Sequence, residues 1–210
     1  MAKRLARTTV SCKKGCHACC KQITIVAKAE SDLIAKSLVG SKIDLRDLIK
    51  RLEESAVLMS QHDDMFDYFC LDKRCAFLDD KNECIVYPVR PAACRYYYVT
   101  TSPEECSEPV RGSTITVINT SDLQAEVFCY CLQLQGEPWV SPLPLAVMHS
   151  LFRITKDEEL GTILKRLPDP QRWMAYRIEN PLVGMLESQR KEFRKGLIGA
   201  INAFENERPR

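Results

Sequence analysis

The sequence has no apolar run of the roughly 20 residues that a bilayer-spanning helix needs. The basic start, Met1 to Val10, is not followed by an apolar core, so it does not read as a secretory signal. Charge of one sign is also missing. Thirty basic residues against twenty-eight acidic ones leave a formal charge of +2, too little to steer the chain to a polyanion. These absences set the expectations of no membrane, no nucleic-acid partner and a cytoplasmic location. No P-loop, paired-carboxylate motif, Ser–His–Asp arrangement, internal repeat or low-complexity segment stands out, and no glycine-rich loop follows a strand. Histidine is scarce as well: the three are His17, His62 and His149, and the last two have no partner in sequence.

Cysteine is not scarce. Eleven occur in 210 residues, and in a reducing cytosol close spacing points to metal or redox chemistry more than to disulfides. Seven fall in two blocks, Cys12-x3-Cys16-x2-Cys19-Cys20 and Cys75-x8-Cys84-x9-Cys94. Thiolates are soft ligands that select zinc or iron–sulfur clusters over magnesium or calcium. Zinc is commonly held by two C-x2-4-C knuckles, and the second block, with its long gaps, offers none. A cubane takes three ligands from one tight loop and a fourth from elsewhere, which suits the first block. An iron–sulfur cluster is therefore preferred, with zinc or iron as the alternative. The same thiols could also hold two metals or one larger cluster. Adjacent side chains diverge in most backbone conformations, so Cys19 and Cys20 can both be ligands if they serve different metals.

The chain reads as a mostly helical α+β protein with a cysteine-rich metal-binding N-terminal half and a helical C-terminal half. Residues 1–110 would form the cysteine-cluster domain and 111–210 a helical extension packed on it, or the two would make one compact domain. Gln22 to Val26 alternates like a short strand. Ala27 to Val39 reads as a helix stopped by Gly40. Asp44 to Ser60 reads as a second helix, with Leu45, Leu48, Ile49, Leu52, Ala56 and Met59 on one face. Cys75 to Leu78 and Glu83 to Tyr87 flank a polar turn, Asp79 to Asn82, as a β-hairpin would. A four-residue loop pairs Phe77 with Cys84 and puts Cys75 on the Cys84 face, roughly 7 Å away at Cβ. A slip of one residue would turn Cys75 away.

Pro91 is placed to start a short helix ending near Arg95, and Tyr96 to Tyr98 reads as a strand. Farther on, Ser113 to Asn119 is a candidate strand, and Ser121 to Gln135 a candidate helix. Glu137 to Pro144 is a Pro-rich connector, and about Pro181 to Asn206 a final helix. Cys129 and Cys131 cannot share a face of one helix and read as small buried residues. Cys70 and Cys106 are further ligand candidates, and His17 is a loop residue. Four thiolates on a divalent metal leave a net charge near −2, which Arg90 and Arg95 are placed to support from outside the ligand shell.

Residues 12 to 19 also spell CxxxCxxC, the spacing of radical S-adenosylmethionine enzymes. Ala18 stands where that superfamily usually has an aromatic, and the strand–helix alternation of its barrel is missing. A different resemblance covers about residues 12 to 96. Cys16-His-Ala-Cys19-Cys20, Cys75-Ala-Phe-Leu78, Cys84-Ile-Val-Tyr87 and Arg90-Pro91-Ala-Ala-Cys94-Arg95 together resemble the CxxCxxCC cysteine-cluster family, a zinc- or iron-chelating domain. The first gap is x3 here, where the family usually has x2. The resemblance implies a metal centre on Cys12, Cys16, Cys19, Cys20, Cys75, Cys84 and Cys94. The family includes flagellin lysine N-methylases, which are much longer. That kinship implies S-adenosylmethionine and methylation of a protein substrate as one functional reading. A structural zinc module that presents a surface to a protein partner is a second. A carrier or sensor of metal or redox state is a third.

Overall fold

The computed structural model of the chain describes residues 10–13, 15–62, 65–107, 131 and 140–169. The candidate strand at 113–119, the candidate helix after 181 and Cys129 lie outside the described residues. Of the candidate helix from Ser121 to Gln135, only Cys131 is described; it is helical and buried.

Strand β1 (Ile25–Ala27) runs into helix α1 (Lys28–Val39). The junction is closed by Glu30, whose carboxylate accepts the Ala27 N–H at 2.9 Å. Ser31, Ile34, Ala35 and Leu38 recur on the buried face of α1, as the 3.6-residue period requires. Gly40 ends the helix and donates its N–H to the Lys36 carbonyl. Helix α2 (Leu45–Gln61) starts where Asp44 accepts the Arg46 and Asp47 N–H groups. It buries Leu48, Leu52, Ala56 and Met59, while Leu45 and Ile49 pack at the margin. The first strand forms three residues later than its pattern suggested, because a run of turns continues from Cys16 through Gln22.

Short elements follow. They are α3 (Met65–Cys70), a single 3-10 turn (Tyr87–Val89), α4 (Ala92–Arg95) and α5 (Pro103–Ser107). The expected Pro91 helix is present as α4. The strand expected at Tyr96 to Tyr98 is not: those residues are irregular, and only Val99 makes a bridge.

The Pro-rich connector is also corrected. Val140–Pro142 is strand β2, antiparallel to β1, with Ile25 opposite Pro142, Val26 opposite Ser141 and Ala27 opposite Val140. A two-stranded ribbon is all edge, where proline costs no ladder bond on its outer side. Pro142 then leads into α6 (Leu143–Thr155), buried on nearly all sides from Leu143 to Met148. A helix that is apolar all round belongs in a core, and α6 packs on both α1 and α2. Lys156, at φ 57, ends it in the left-handed conformation, and Asp157 caps α7 (Glu158–Arg166). α7 packs closely on α6 at Gly161, where a Cβ would meet the Phe152 side chain at 2.8 Å.

One core joins both stretches of chain: Val26, Ile34, Leu38, Leu48, Leu52, Phe77, Leu145, Met148, Leu151 and Leu160 are all within it. Cys75 and Cys84 pack at its edge. The chain is thus a mostly helical α+β protein carrying a small antiparallel sheet. No helix among the described residues is long and apolar enough to cross a membrane.

Candidate metal centre

The second cysteine block reverses direction as expected, but in a different register. Leu78, not Phe77, bridges to Cys84. The reason lies in the turn. Asp79 accepts the N–H groups of both Lys81 and Glu83 on its side chain and donates its own N–H to the Glu83 carbonyl. Glu83 is thereby drawn into the loop. Leu78 also donates back to the Cys75 carbonyl at 3.0 Å, so residues 75–78 form a turn, not a strand. Cys75 consequently reaches its neighbours without the ladder that the alternation suggested.

Three remote segments meet here. The Cys75 N–H donates to the Cys20 carbonyl at 2.7 Å, fixing the second block against the first. The Cys20 N–H in turn donates to His17 at 2.8 Å, and the Gln22 N–H to Cys19 at 3.2 Å. Cys94 sits on α4, held from two sides. Its sulfur shares a 3.7 Å hydrogen bond with the Thr24 hydroxyl, and the α4 backbone is anchored where Glu30 accepts the Ala92 N–H at 2.8 Å. The other oxygen of that carboxylate caps α1, so one side chain ties the strand–helix junction to the Cys94 helix.

The electrostatics match unpaired thiols held close together. Burial pushes the Cys75 thiol up to about 12 from an ordinary 9.0, with Cys94, Cys84 and Cys19 adding to the rise. Burial pushes Cys94 up to about 11, against the Thr24 hydrogen bond. Burial also raises Cys84. The Cys20 thiol donates to Cys19, which falls to about 7 despite burial, aided by Arg90. The same hydrogen bond makes Cys20 hold its proton. The raised thiols keep their protons in the metal-free chain, so a soft metal binds there by displacing them.

Arg90 brings positive charge to the thiols. Its guanidinium stacks over the Tyr87 ring at 4.3 Å and acts on Cys19, Cys84 and Cys94. Its Nε is buried without a hydrogen-bond partner among the described residues. A buried donor in that state normally has an acceptor to meet, and a metal–thiolate group is anionic. Arg95 donates to the Pro88 carbonyl at 2.8 Å and clamps the 3-10 turn.

Cys12 and Cys16 do not join this group. They pack with the buried Cys106, Ala18 and Val99 and the half-buried Tyr97. Cys70 is exposed at the end of α3, and all ten described cysteines are free thiols. His17 is half-buried in the loop, with Nδ1 3.4 Å from the Gly15 carbonyl. Cys131 is buried as expected, and burial raises it to about 11, helped by Glu30. A cavity of about 30 Å³ lies beside Cys20 and Cys75, lined also by Thr24, Met59, Tyr68 and Phe77. That volume admits about one water-sized species.

In kind, the free thiols fit a soft metal, and Arg90 beside them can offset their charge. Among the described residues no three Cys, His, Asp or Glu side chains lie close enough together to hold a metal ion. Sequence reasoning missed Thr24 and Glu30. Glu30 was hidden because Ala27 stands where a capping box would show Ser or Thr.

Residues 11–129 match the family model described as "CxxCxxCC: Putative zinc- or iron-chelating domain". No curated protein and no solved structure matches the chain.

Proposed function

The chain belongs to the CxxCxxCC family, and from that premise we propose that it chelates zinc or iron at Cys20, Cys75, Cys84 and Cys94. The observation that carries the reading is the meeting of three remote segments at these thiols, with the unpartnered Arg90 Nε beside them. Cys20 supplies the first segment, Cys75 and Cys84 the second, and Cys94 the third. When bound, the metal supplies positive charge that lets all four thiols ionise together.

The chain's own residues do the rest. Thr24 and Glu30 hold Cys94 in place. The Cys20 carbonyl holds Cys75. Arg90 offsets the net charge near −2 that four thiolates leave on a divalent metal, by simple ligand counting. A four-iron cluster is the finer form of the same reading, since it too takes four thiolates. S-adenosylmethionine and a methylated protein substrate gain no support from this arrangement and are not part of the proposal.

The test is anaerobic purification, metal and sulfide analysis, an absorption spectrum, and alkylation footprinting with and without added zinc. The expected result is bound zinc or iron, with Cys20, Cys75, Cys84 and Cys94 protected from alkylation when metal is present. A colourless loaded protein assigns zinc, and a brown, air-bleached one assigns a cluster. No thiophilic metal bound, or equal alkylation of the four thiols in both states, would sink the reading.

A further inference from the structure

The walls of the cavity beside Cys20 and Cys75 differ in strength. Ser55 and Met59 belong to α2, and Phe77 and Leu143 to the main core. Lys21 and Gln22 lie on a loop that is tied across the chain, the first to the Ser107 carbonyl at 3.4 Å and the second to the Tyr97 hydroxyl at 3.5 Å. The remaining wall, Tyr68 and Lys73, comes from α3 and the turn that follows it.

That segment, residues 65–73, is fastened differently. Among the described residues its backbone bonds only within itself. The Leu71 N–H donates to the Tyr68 carbonyl at 3.1 Å and the Asp72 N–H to the Phe69 carbonyl at 3.3 Å. Asp72 stands at φ 53, a left-handed turn that Asp and Asn tolerate better than other side chains. The next backbone tie to another segment is at Cys75. Tyr68 and Phe69 are buried, but Tyr68 packs with Ile23 and Met59 in a small cluster apart from the main core. Two ion pairs then latch the far end, Lys21 with Asp72 and Lys73 with Glu54. The Asp72 side chain is 74% exposed and that of Glu54 48%, so water and salt compete for both latches. Local backbone bonds, a satellite cluster and exposed ion pairs mark a segment that opens before the whole fold does.

We propose that residues 65–73 form an ion-latched strap over the Cys20–Cys75 cavity, and that its opening admits small thiols and thiol-reactive electrophiles to these two sulfurs. The closed cavity, about 30 Å³, admits about one water-sized species. A larger solute enters only when a wall moves, and the strap is the wall that can move without disturbing the core. Opening uncovers Tyr68 and Phe69, so it is a rare event whose frequency the latches set. The strap operates in the metal-free chain, whatever the four thiols bind.

The test uses the full chain, metal-free and anaerobic, with two readouts. Backbone hydrogen exchange at residues 68–72 reports opening and is blind to thiol charge. Initial rates of alkylation by a bulky maleimide report entry to Cys20 and Cys75, with Cys84 and Cys94, which do not line the cavity, as references. Raising the salt concentration should quicken strap exchange and alkylation of Cys20 and Cys75 together. Exchange in α6 and alkylation of Cys84 and Cys94 should stay as they were. At low salt, Asp72→Asn, which suits the left-handed turn, and Glu54→Gln should each do the same by about two- to fivefold. Faster alkylation with strap exchange unchanged would mean that the carboxylates act on thiol charge alone, and would overturn the strap. Faster exchange with alkylation unchanged would overturn it too, because the strap would then cover nothing. No response of either readout to salt would overturn the latches. The salt series on wild type needs no variant, so a misfolded substitution cannot shelter the proposal.

Discussion

The carboxylate of Glu30 accepts the backbone N–H of Ala92 at 2.8 Å across 62 residues of sequence, while its second oxygen caps the helix to which it belongs. That contact sets where α4, and therefore Cys94, stands relative to Thr24. Charge-assisted hydrogen bonds of this kind contribute about 1.5–3 kcal/mol. Glu30→Ala is expected to lower unfolding free energy by about that much, read from urea denaturation. It should also weaken metal retention, read by competition with a chelator. A variant as stable and as retentive as wild type would show that Cys94 is placed by other means.

Arg90 offers the clearest separation of charge from fold. Substituting a group just outside the ligand shell typically costs 10–100-fold in metal affinity. Arg90→Met keeps the stem that packs near Tyr87 and removes the cation. The expected outcome is zinc affinity about tenfold or more weaker, with a circular dichroism spectrum like that of wild type. Arg95→Met, which removes only the clamp on Pro88, should leave affinity nearly unchanged. Equal losses in the two variants would contradict the role given to Arg90.

Metal binding should release protons. With Cys75 held up to about 12 and Cys94 up to about 11 by burial, both thiols are protonated at pH 7 in the metal-free chain. Zinc must displace those protons, so apparent affinity rises with pH. Mixing zinc with the metal-free chain in weak buffer should acidify the solution, and competition at pH 8 should give tighter binding than at pH 7. A pH-independent affinity would refute thiol ligation.

Acid sensitivity should come from a different place. Burial favours a neutral Asp32, yet the hydrogen bonds from Ser150 and Lys28 and the charge of Arg153 hold its carboxyl below the ordinary 3.8. A depressed folded-state value stabilises the protein above the unfolded value, and that contribution is lost as pH falls through the folded one. Asp32→Asn should therefore melt below wild type at pH 7, with the gap closing as the pH falls below the ordinary carboxylate value of 3.8. A gap that persists in acid would mean that the variant acts through packing.

Much of the helical scaffold was legible from residue patterning. The stripe from Leu48 to Met59, the Asp44 cap and the Pro91 start to α4 all depend on local chemistry that sequence displays. The second block was legible only in part, because the side chain of Asp79 captured an extra residue for the turn and shifted the pairing by one. β2 was hidden inside Val140 to Pro142, since a three-residue strand with a proline shows no alternation and forms only because β1 is there to receive it. The cysteine motif revealed which residues carry soft-donor chemistry. It did not reveal their surroundings, since those depend on contacts with Val99 and Cys75 far along the chain.

The pairing of β1 with β2 also has a kinetic consequence. Ser31 and Ser150, 119 residues apart, share a buried hydrogen bond in the same long-range interface, and the Thr24 carbonyl accepts the N–H of Leu143. Contacts of such separation form late, after the entropy of closing a long loop has been overcome. On a ribosome adding about 5–20 residues per second, every thiol from Cys12 to Cys106 is synthesised seconds before α6 arrives to roof the core. For that interval the nascent chain is a string of uncovered thiols, open to oxidation and to any passing metal. Early occupancy by a soft metal would hold those thiols in reduced, grouped form until the distant helix completes the fold.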